Sequence, residues 1–378
     1  MMRSLHPSLM QYWAKSVMKT DDRKIRPDEN SFFLGIDTSN YKTSVSLLDH
    51  QGALFFQKSE LLEVKKGECG LRQSTAYFNH GRRLPSFLKE GLDCMREKCP
   101  EGKIRAVALS FRPRNVEKSY MPVFLAGLEA GVNIGNALNI PVYGFSHQEG
   151  HIHSVISGTL NEHPAVEEPE KPFIFFHISG GTTEALLCSL DGIHYSAEIA
   201  GGTKDISLGQ LLDRAGVQAG FPFPAGKYLD QLALAAPVTV KPSKVRIRDG
   251  WFNLSGQETQ VRKMITPDDC SCVPGIFHMI SELLAEEAFF LCNKYGITDL
   301  VIAGGVGASK YLRTNVPKEL EGLTGMRKAT TETIGPRIHW GSPELSGDNG
   351  SGIAGLGYNA WISGEPSHAN MLLDFLNR

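Results

Sequence analysis

Residues 31–59 read SFFLGIDTSNYKTSVSLLDHQGALFFQKS, and residues 171–202 read KPFIFFHISGGTTEALLCSLDGIHYSAEIAGG. The two stretches follow one pattern. In the first, an apolar run ends at a polar turn over Asp37–Lys42, a second apolar run follows, and a turn at Asp49–Gly52 leads into a third. In the second, the turns fall at Ser179–Thr183 and at the pair Asp191, Gly192. Short apolar runs punctuated by Gly, Asp and Asn predict strands joined by tight turns, so each stretch predicts a three-stranded meander. The copies begin 140 residues apart (171 − 31 = 140), far beyond the period of a stacked-repeat solenoid. They predict two related lobes of one molecule.

Outward from each meander the pattern turns mixed. FLKEGLDCMREKC (87–99) reads as a helix and IRAVALSF (104–111) as a strand. After the second meander, CVPGIFHMISELLAEEAFFLCNKYG (272–296) carries Ile276, Met279, Ile280, Leu283 and Leu284 on one helical stripe. DLVIAGGVGASKYLR (299–313) then reads strand, glycine turn, helix. Strands alternating with helices predict an α/β fold with a mixed sheet in each lobe and ligand loops at the strand ends facing a cleft. The expected division is an N-terminal arm over 1–30, lobe I over 31–145 and lobe II over 146–349. A C-terminal helix over about 350–378 packs back on lobe I.

Composition narrows the classes. Hydrophobic residues make up 41% and charged residues 21%, ordinary values for a soluble globular chain of 378 residues. A formal charge of −2 gives no global basic excess, so any RNA contact has to be local. The basic clusters are Arg82 and Arg83, Arg112 and Arg114, and the run Lys241, Lys244, Arg246, Arg248. That run precedes Trp251 and Phe252, which suit base stacking, although a solvated loop with a buried aromatic anchor is the simpler reading. Seven scattered cysteines, with no metal-binding repeat, read as reduced thiols. No apolar run reaches the ~18–20 residues of a membrane span. The first 30 residues lack a secretory core and read as a loose arm or docking helix.

Four glycine-bearing polar turns follow apolar runs: GIDTSN (35–40), HISGGTTE (177–184), VIAGGVGAS (301–309) and SGDNGSGIAG (346–355). Such turns let backbone amides approach phosphate. None matches the P-loop pattern. At the start of lobe II lies GFSHQEGHIHS (144–154), with three of the chain's 12 histidines. His147 and His151 are four apart and share one helical face, which is metal-ligand spacing, while His153 points elsewhere. HQEGH differs from the zincin protease motif because Gln148, not a glutamate, follows the first histidine.

The layout resembles the actin, sugar-kinase and chaperone ATPase superfamily, with duplicated RNase H-like lobes. Within it, the sequence resembles the TsaD/Gcp/YgjD family, the transferase of tRNA threonylcarbamoyladenosine synthesis. The matching pieces run in order from about residue 32 to 360. They are the opening Gly35–Ser39, the H-x-E-G-H motif (His147, Glu149, Gly150, His151), and S-G-G-x-T (Ser179, Gly180, Gly181, Thr183). The segment with Asp205, Gly209 and Asp213, the turn with Gly304, Gly305 and then Arg313, and the late Asp348, Asn349, Gly350 complete the set. The resemblance implies one transition metal, Fe or Zn, held by His147, His151 and Asp348. It implies ATP or an acyl- or carbamoyl-adenylate held near Ser179, Gly180, Gly181, Asp213, Gly226, Gly304, Gly305 and Ser309. It also implies partner subunits, a tRNA acceptor, a homo- or hetero-dimer and a cytoplasmic location.

Several positions depart from the family pattern: Asn40, Tyr41 and Lys42 after the opening motif, Arg112-Pro113-Arg114 for Gly-Pro-Gly, Thr182, Ser309, and GQLLDR over Gly209–Arg214. Altered turns beside a retained metal trio fit a divergent paralogue. The expected activity is transfer of a carbamoyl-type group from an adenylate to an acceptor amine. The alternatives are a nucleotide-binding regulatory or scaffold paralogue and a small-molecule kinase or carbamoyltransferase of the same superfamily. For Asp205, a helix cap and a ligand role stand as equals.

Overall fold

The computed structural model describes residues 25–39, 42–63, 71–116, 119–156, 171–328, 335–341 and 349–377. Asp348 and residues 1–24 of the arm lie outside the described residues. Both meanders form where the turn residues place them. The first is β1 (Ser31–Thr38), β2 (Lys42–Leu48) and β3 (Leu54–Leu61); the second is β6 (Phe173–Ile178), β7 (Thr183–Asp191) and β8 (His194–Thr203).

Each meander seeds a mixed sheet. Two parallel strands, β4 (Lys103–Arg112) and β5 (Val142–Ser146), extend the first to the order β3-β2-β1-β4-β5. The second reaches the order β11-β10-β6-β7-β8-β9, with β9 (Trp251–Phe252), β10 (Asp299–Ala303) and β11 (Arg337–Trp340). The first strand of each meander thus lies inside its sheet, between an antiparallel hairpin partner and a parallel neighbour. All eight residues of β1 are buried, as expected for a strand covered on both faces.

Helices supply the covers. In lobe I these are α1 (Gln73–Lys98) and α2 (Leu125–Leu138), preceded by one 3-10 turn at Pro122–Phe124. Then come α3 (His147–Ile156), α4 (Leu208–Gln218), α5 (Gly226–Ala235), α6 (Ser255–Met264), α7 (Val273–Tyr295), α8 (Lys310–Lys328), α9 (Gly350–Ile362) and α10 (Ala369–Leu376). α1 begins well before the stretch the sequence marked. Pro85 reads as a breaker, yet the stripe Ala76, His80, Leu84, Phe87, Gly91, Met95 is buried on both sides of it. Pro85 itself faces solvent, where the carbonyl it deprives of a partner can bond water.

Among the described residues, three large hydrophobic clusters hold the molecule. One fills lobe II around α7, and one fills the outer face of the lobe I sheet. The third contains Phe33 and Phe145 from the first sheet, Phe173 and Phe175 from the second, Ile152 of α3 and Ile353 of α9. That shared core joins the lobes. α9 crosses β1, β4 and β2 and also packs on α3, and at Gly35 a side chain would overlap the Gly350 carbonyl and Ala354 of α9. α10 returns to α2 and buries Leu372.

Candidate functional site

Parallel strands β1, β4 and β5 all run toward one edge of the sheet, where α/β folds carry their ligands. Asp37, Ser110 and Ser146 lie near those ends, and all three are buried. Ser146 starts α3. Its Oγ accepts from the Glu149 amide at 3.2 Å, and Glu149 Oε2 accepts from the Ser146 amide at 2.7 Å. This reciprocal pair is a capping box, encoded by Ser-x-x-Glu. Glu149 Oε1 reaches across to His194 Nδ1 at 2.8 Å and the Tyr195 amide at 3.3 Å at the start of β8. The motif glutamate is therefore committed to structure.

His147 opens α3, and its Nδ1 lies 2.9 Å from Asp37 Oδ1. The Asn349 amide nitrogen donates to the same Asp37 oxygen at 3.1 Å and to the His147 carbonyl at 3.0 Å. Burial alone raises the Asp37 carboxyl; the His147 ring and hydrogen bonds from His147, Ser110 and Asn349 outweigh it and hold the group well below the carboxylate range. An ionised Asp37 holds a proton on His147 Nδ1 and turns the Nε2 lone pair outward.

One helical turn on, His151 Nε2 lies 3.0 Å from His147 Nε2, with the ring centroids 4.4 Å apart. Bonds of about 2.0–2.1 Å to one ion bring two nitrogens to roughly this separation. Burial, then the charges of His147 and His177, push His151 well below its usual range, so it stays a neutral ligand-type imidazole. His177 on β6 is the third ring here, 5.5 Å from His151, and burial with the His147 and Arg114 charges lowers it to about 4. His147, oriented by Asp37, and His151, held neutral, fit a transition metal. Among the described residues no third His, Cys, Asp or Glu completes a ligand group. Asp348 lies outside them, one residue before the Asn349 that touches His147. A side chain at Gly150 would overlap the Asn349 amide, which explains the glycine between Glu149 and His151. His153 points away, with Nδ1 3.2 Å from the Tyr195 hydroxyl.

The other named residues form a rim in lobe II. The Ser179–Gly181 turn closes with the Ser179 amide donating to the Thr182 carbonyl at 2.8 Å, and Gly180 and Gly181 are exposed. Ser207, the cap of α4, donates to the Gly180 carbonyl at 2.7 Å. Gly304 has φ +102° and its backbone lies against Ile178, while Gly305 is exposed with open space around it. Asp213 Oδ1 accepts from the Ala225 amide at 2.8 Å, immediately before Gly226 and α5. Ser309 caps α8: its Oγ accepts from the Leu312 amide at 3.1 Å and donates to Asp230. Asp205 accepts from the amides of Ile206, Leu254 and Ser255; burial opposes these bonds, and they still lower it to about 2. The cap reading of Asp205 holds.

The family model for TsaD, tRNA N6-adenosine threonylcarbamoyltransferase, matches residues 120–331, more than half of the chain. The chain belongs to this family. The tRNA N6-adenosine threonylcarbamoyltransferase of Aromatoleum aromaticum is 28% identical over 334 residues, covering 86% of this chain and 90% of that protein. The protein of the same name from Carboxydothermus hydrogenoformans is 28% identical and covers 89% of this chain and 95% of its own length. Among solved structures, HypF from T. kodakarensis matches at a TM-score of 0.54 and 11% identity, over 92% of this chain and 50% of HypF. A ROK family protein from Streptococcus pneumoniae in complex with sucrose matches at 0.50 and 11%, over 88% and 98%. These likenesses show the two-lobed fold. As a TsaD-family member the chain is a transferase, and the protease-like look of HQEGH has no bearing.

Three residues of this centre have no role that the sequence motifs state. Asp37, Asn349 and His177 come from three separate segments and meet only in the fold. The Glu149 cap was legible as Ser-x-x-Glu. Among the described residues no helix is long and apolar enough to cross a membrane.

Proposed function

We propose that this TsaD-family chain binds one Fe or Zn ion through His147, His151 and Asp348, and holds ATP or a carbamoyl-type adenylate along the lobe II rim. From that adenylate it passes a threonylcarbamoyl group to the adenine amine of a tRNA. The observation that carries the reading is the facing pair of Nε2 atoms 3.0 Å apart, oriented by a buried carboxylate on His147 Nδ1. A metal bound there supplies a Lewis acid for substrate oxygens. The exposed amides of Gly180 and Gly181 are the donors for phosphate or carbamate oxygens, and Ser179 closes the turn that aims them by bonding Thr182. Asp213 Oδ2 makes no hydrogen bond among the described residues and suits a ribose hydroxyl, with Gly226 leaving room beside it. The open backbone at Gly305 suits the adenosine, Gly304 packs on Ile178 to set that turn, and Ser309 serves the rim by fixing the start of α8. The acceptor amine attacks the carbonyl carbon, and the adenylate phosphate leaves with the bonding pair.

The same reading includes the lobe limits 31–145 and 146–349, partner subunits or a dimer, and a cytoplasmic location. Its test is metal analysis of the purified chain beside a His147→Ala, His151→Ala variant that keeps its secondary structure. One equivalent of metal lost in the variant supports it. Equal occupancy in both proteins overturns it.

A further inference from the structure

The extended segment before β9 sorts its residues by side. Val245 is 3% exposed and Ile247 packs on the lobe II core, whereas Lys244, Arg246 and Arg248 are exposed between and beyond them. The cations differ in their partners. Lys241 is paired with Glu282 at 2.9 Å and Lys244 with Glu286. Arg246 and Arg248 make no ion pair among the described residues. Beside them Lys204 Nζ sits 5.7 Å over the Trp251 ring, and Trp251 is half-buried on the sheet edge, paired with Gly202 of β8. Phe252, the other aromatic of the run, is buried in the core and offers no face to a base.

Two exposed carboxylates of this region are already engaged. Asp249 pairs with Lys294 at 2.8 Å and lies within the field of Lys204, and Asp205 spends its oxygens on backbone amides. The patch therefore keeps an excess of positive charge around one half-exposed indole. It also adjoins the glycine rim, because Lys204 is three residues before Ser207, whose hydroxyl bonds Gly180.

We infer that Lys204, Arg246, Arg248 and Trp251 form the surface on which an RNA strand docks, phosphates on the cations and a base on the indole. The inference rests on the reading of the chain as a tRNA-modifying transferase and adds the place of contact. Unpaired cations give the salt-dependent part of RNA affinity, and an aromatic face gives a part that salt leaves alone. A plain anionic surface would need only the first.

The test uses the full chain and an unmodified tRNA transcript, titrated by fluorescence anisotropy at several salt concentrations. The triple variant Lys204→Gln, Arg246→Gln, Arg248→Gln is expected to bind about tenfold or more weakly. Its slope of log affinity against log salt should fall by about one for each phosphate that is no longer neutralised. Trp251→Leu is expected to weaken binding by about tenfold with the slope retained. Lys241→Gln, Lys244→Gln, which removes cations already paired, is expected to bind like the wild type. Equal losses in this control and in the triple variant overturn the inference, since net charge alone would then explain binding. Full affinity in Trp251→Leu overturns it in favour of a surface for another polyanion, and a wild type that binds no tRNA also overturns it. Adenine-nucleotide calorimetry on the same proteins separates the two readings. Nucleotide binding lost with RNA binding intact would count against the proposed function alone.

Discussion

Asp37→Asn tests the buried carboxylate that orients the metal pair. Asp37 is 1% exposed, lies 2.9 Å from His147 Nδ1 and accepts from Asn349 at 3.1 Å. The substitution keeps the shape and removes the charge. Burial raises the wild-type carboxyl, yet the His147 ring and the surrounding hydrogen bonds hold it below the carboxylate range, so it is ionised at neutral pH. An ionised acceptor fixes the proton on Nδ1 and leaves Nε2 free to bind. An amide accepts more weakly, and an amide that turns its NH2 toward the ring moves the ring proton to Nε2. Loss of such an outer partner costs about 10–100-fold in metal affinity, or roughly 1.4–2.7 kcal/mol. The fold should survive, because a neutral amide is less costly to bury than an ion. Competition for zinc against a chromophoric chelator reads the affinity directly. An Asp37→Asn affinity within about twofold of wild type would refute the orienting role.

Gly305→Val should weaken adenine-nucleotide binding by about tenfold or more in titration calorimetry while leaving the melting temperature unchanged, because the added side chain enters open space at the rim. Gly304→Val should instead lower stability by about 1–3 kcal/mol, since φ is +102° there and the side chain would strike the Ile178 carbonyl. Matching nucleotide affinities for wild type and Gly305→Val would remove the adenosine from this turn. Burial lowers His153 from 6.5 to about 4, so the unfolded chain takes up its proton first. That contribution is full above pH 6.5, is lost as pH falls from 6.5 to about 4, and is flat below. Its size is roughly 3 kcal/mol at ~1.36 kcal/mol per pH unit. Urea melts across this range should show His153→Leu less acid-sensitive than wild type; parallel pH profiles would contradict the assignment.

The meanders were legible because their signals are local. Turn residues at Asp37–Lys42, Asp49–Gly52, Ser179–Thr183 and Asp191–Gly192 sit between apolar runs, and the strands end at those turns. The pair His147 and His151 was legible for the same reason, since helical spacing is a local property. What escaped was assembled at long range. Asp37 meets Asn349 across more than three hundred residues of sequence, and His177 reaches His151 from a strand of the second sheet. The first half of α1 escaped because Pro85 hid a stripe that continues through it on the opposite face. Ser309 and Asp205 have a task no motif announces: their oxygens also hold helix starts.

The central claim is that α3 presents His147 and His151 to one metal ion in a TsaD-family transferase. Anomalous diffraction from crystals grown with zinc, and separately with iron, measured on both sides of each absorption edge, tests it most directly. The account predicts a single peak between His147 Nε2 and His151 Nε2, adjoining the residue before Asn349. A site that stays empty at full metal loading, or a peak held by other side chains, would contradict it.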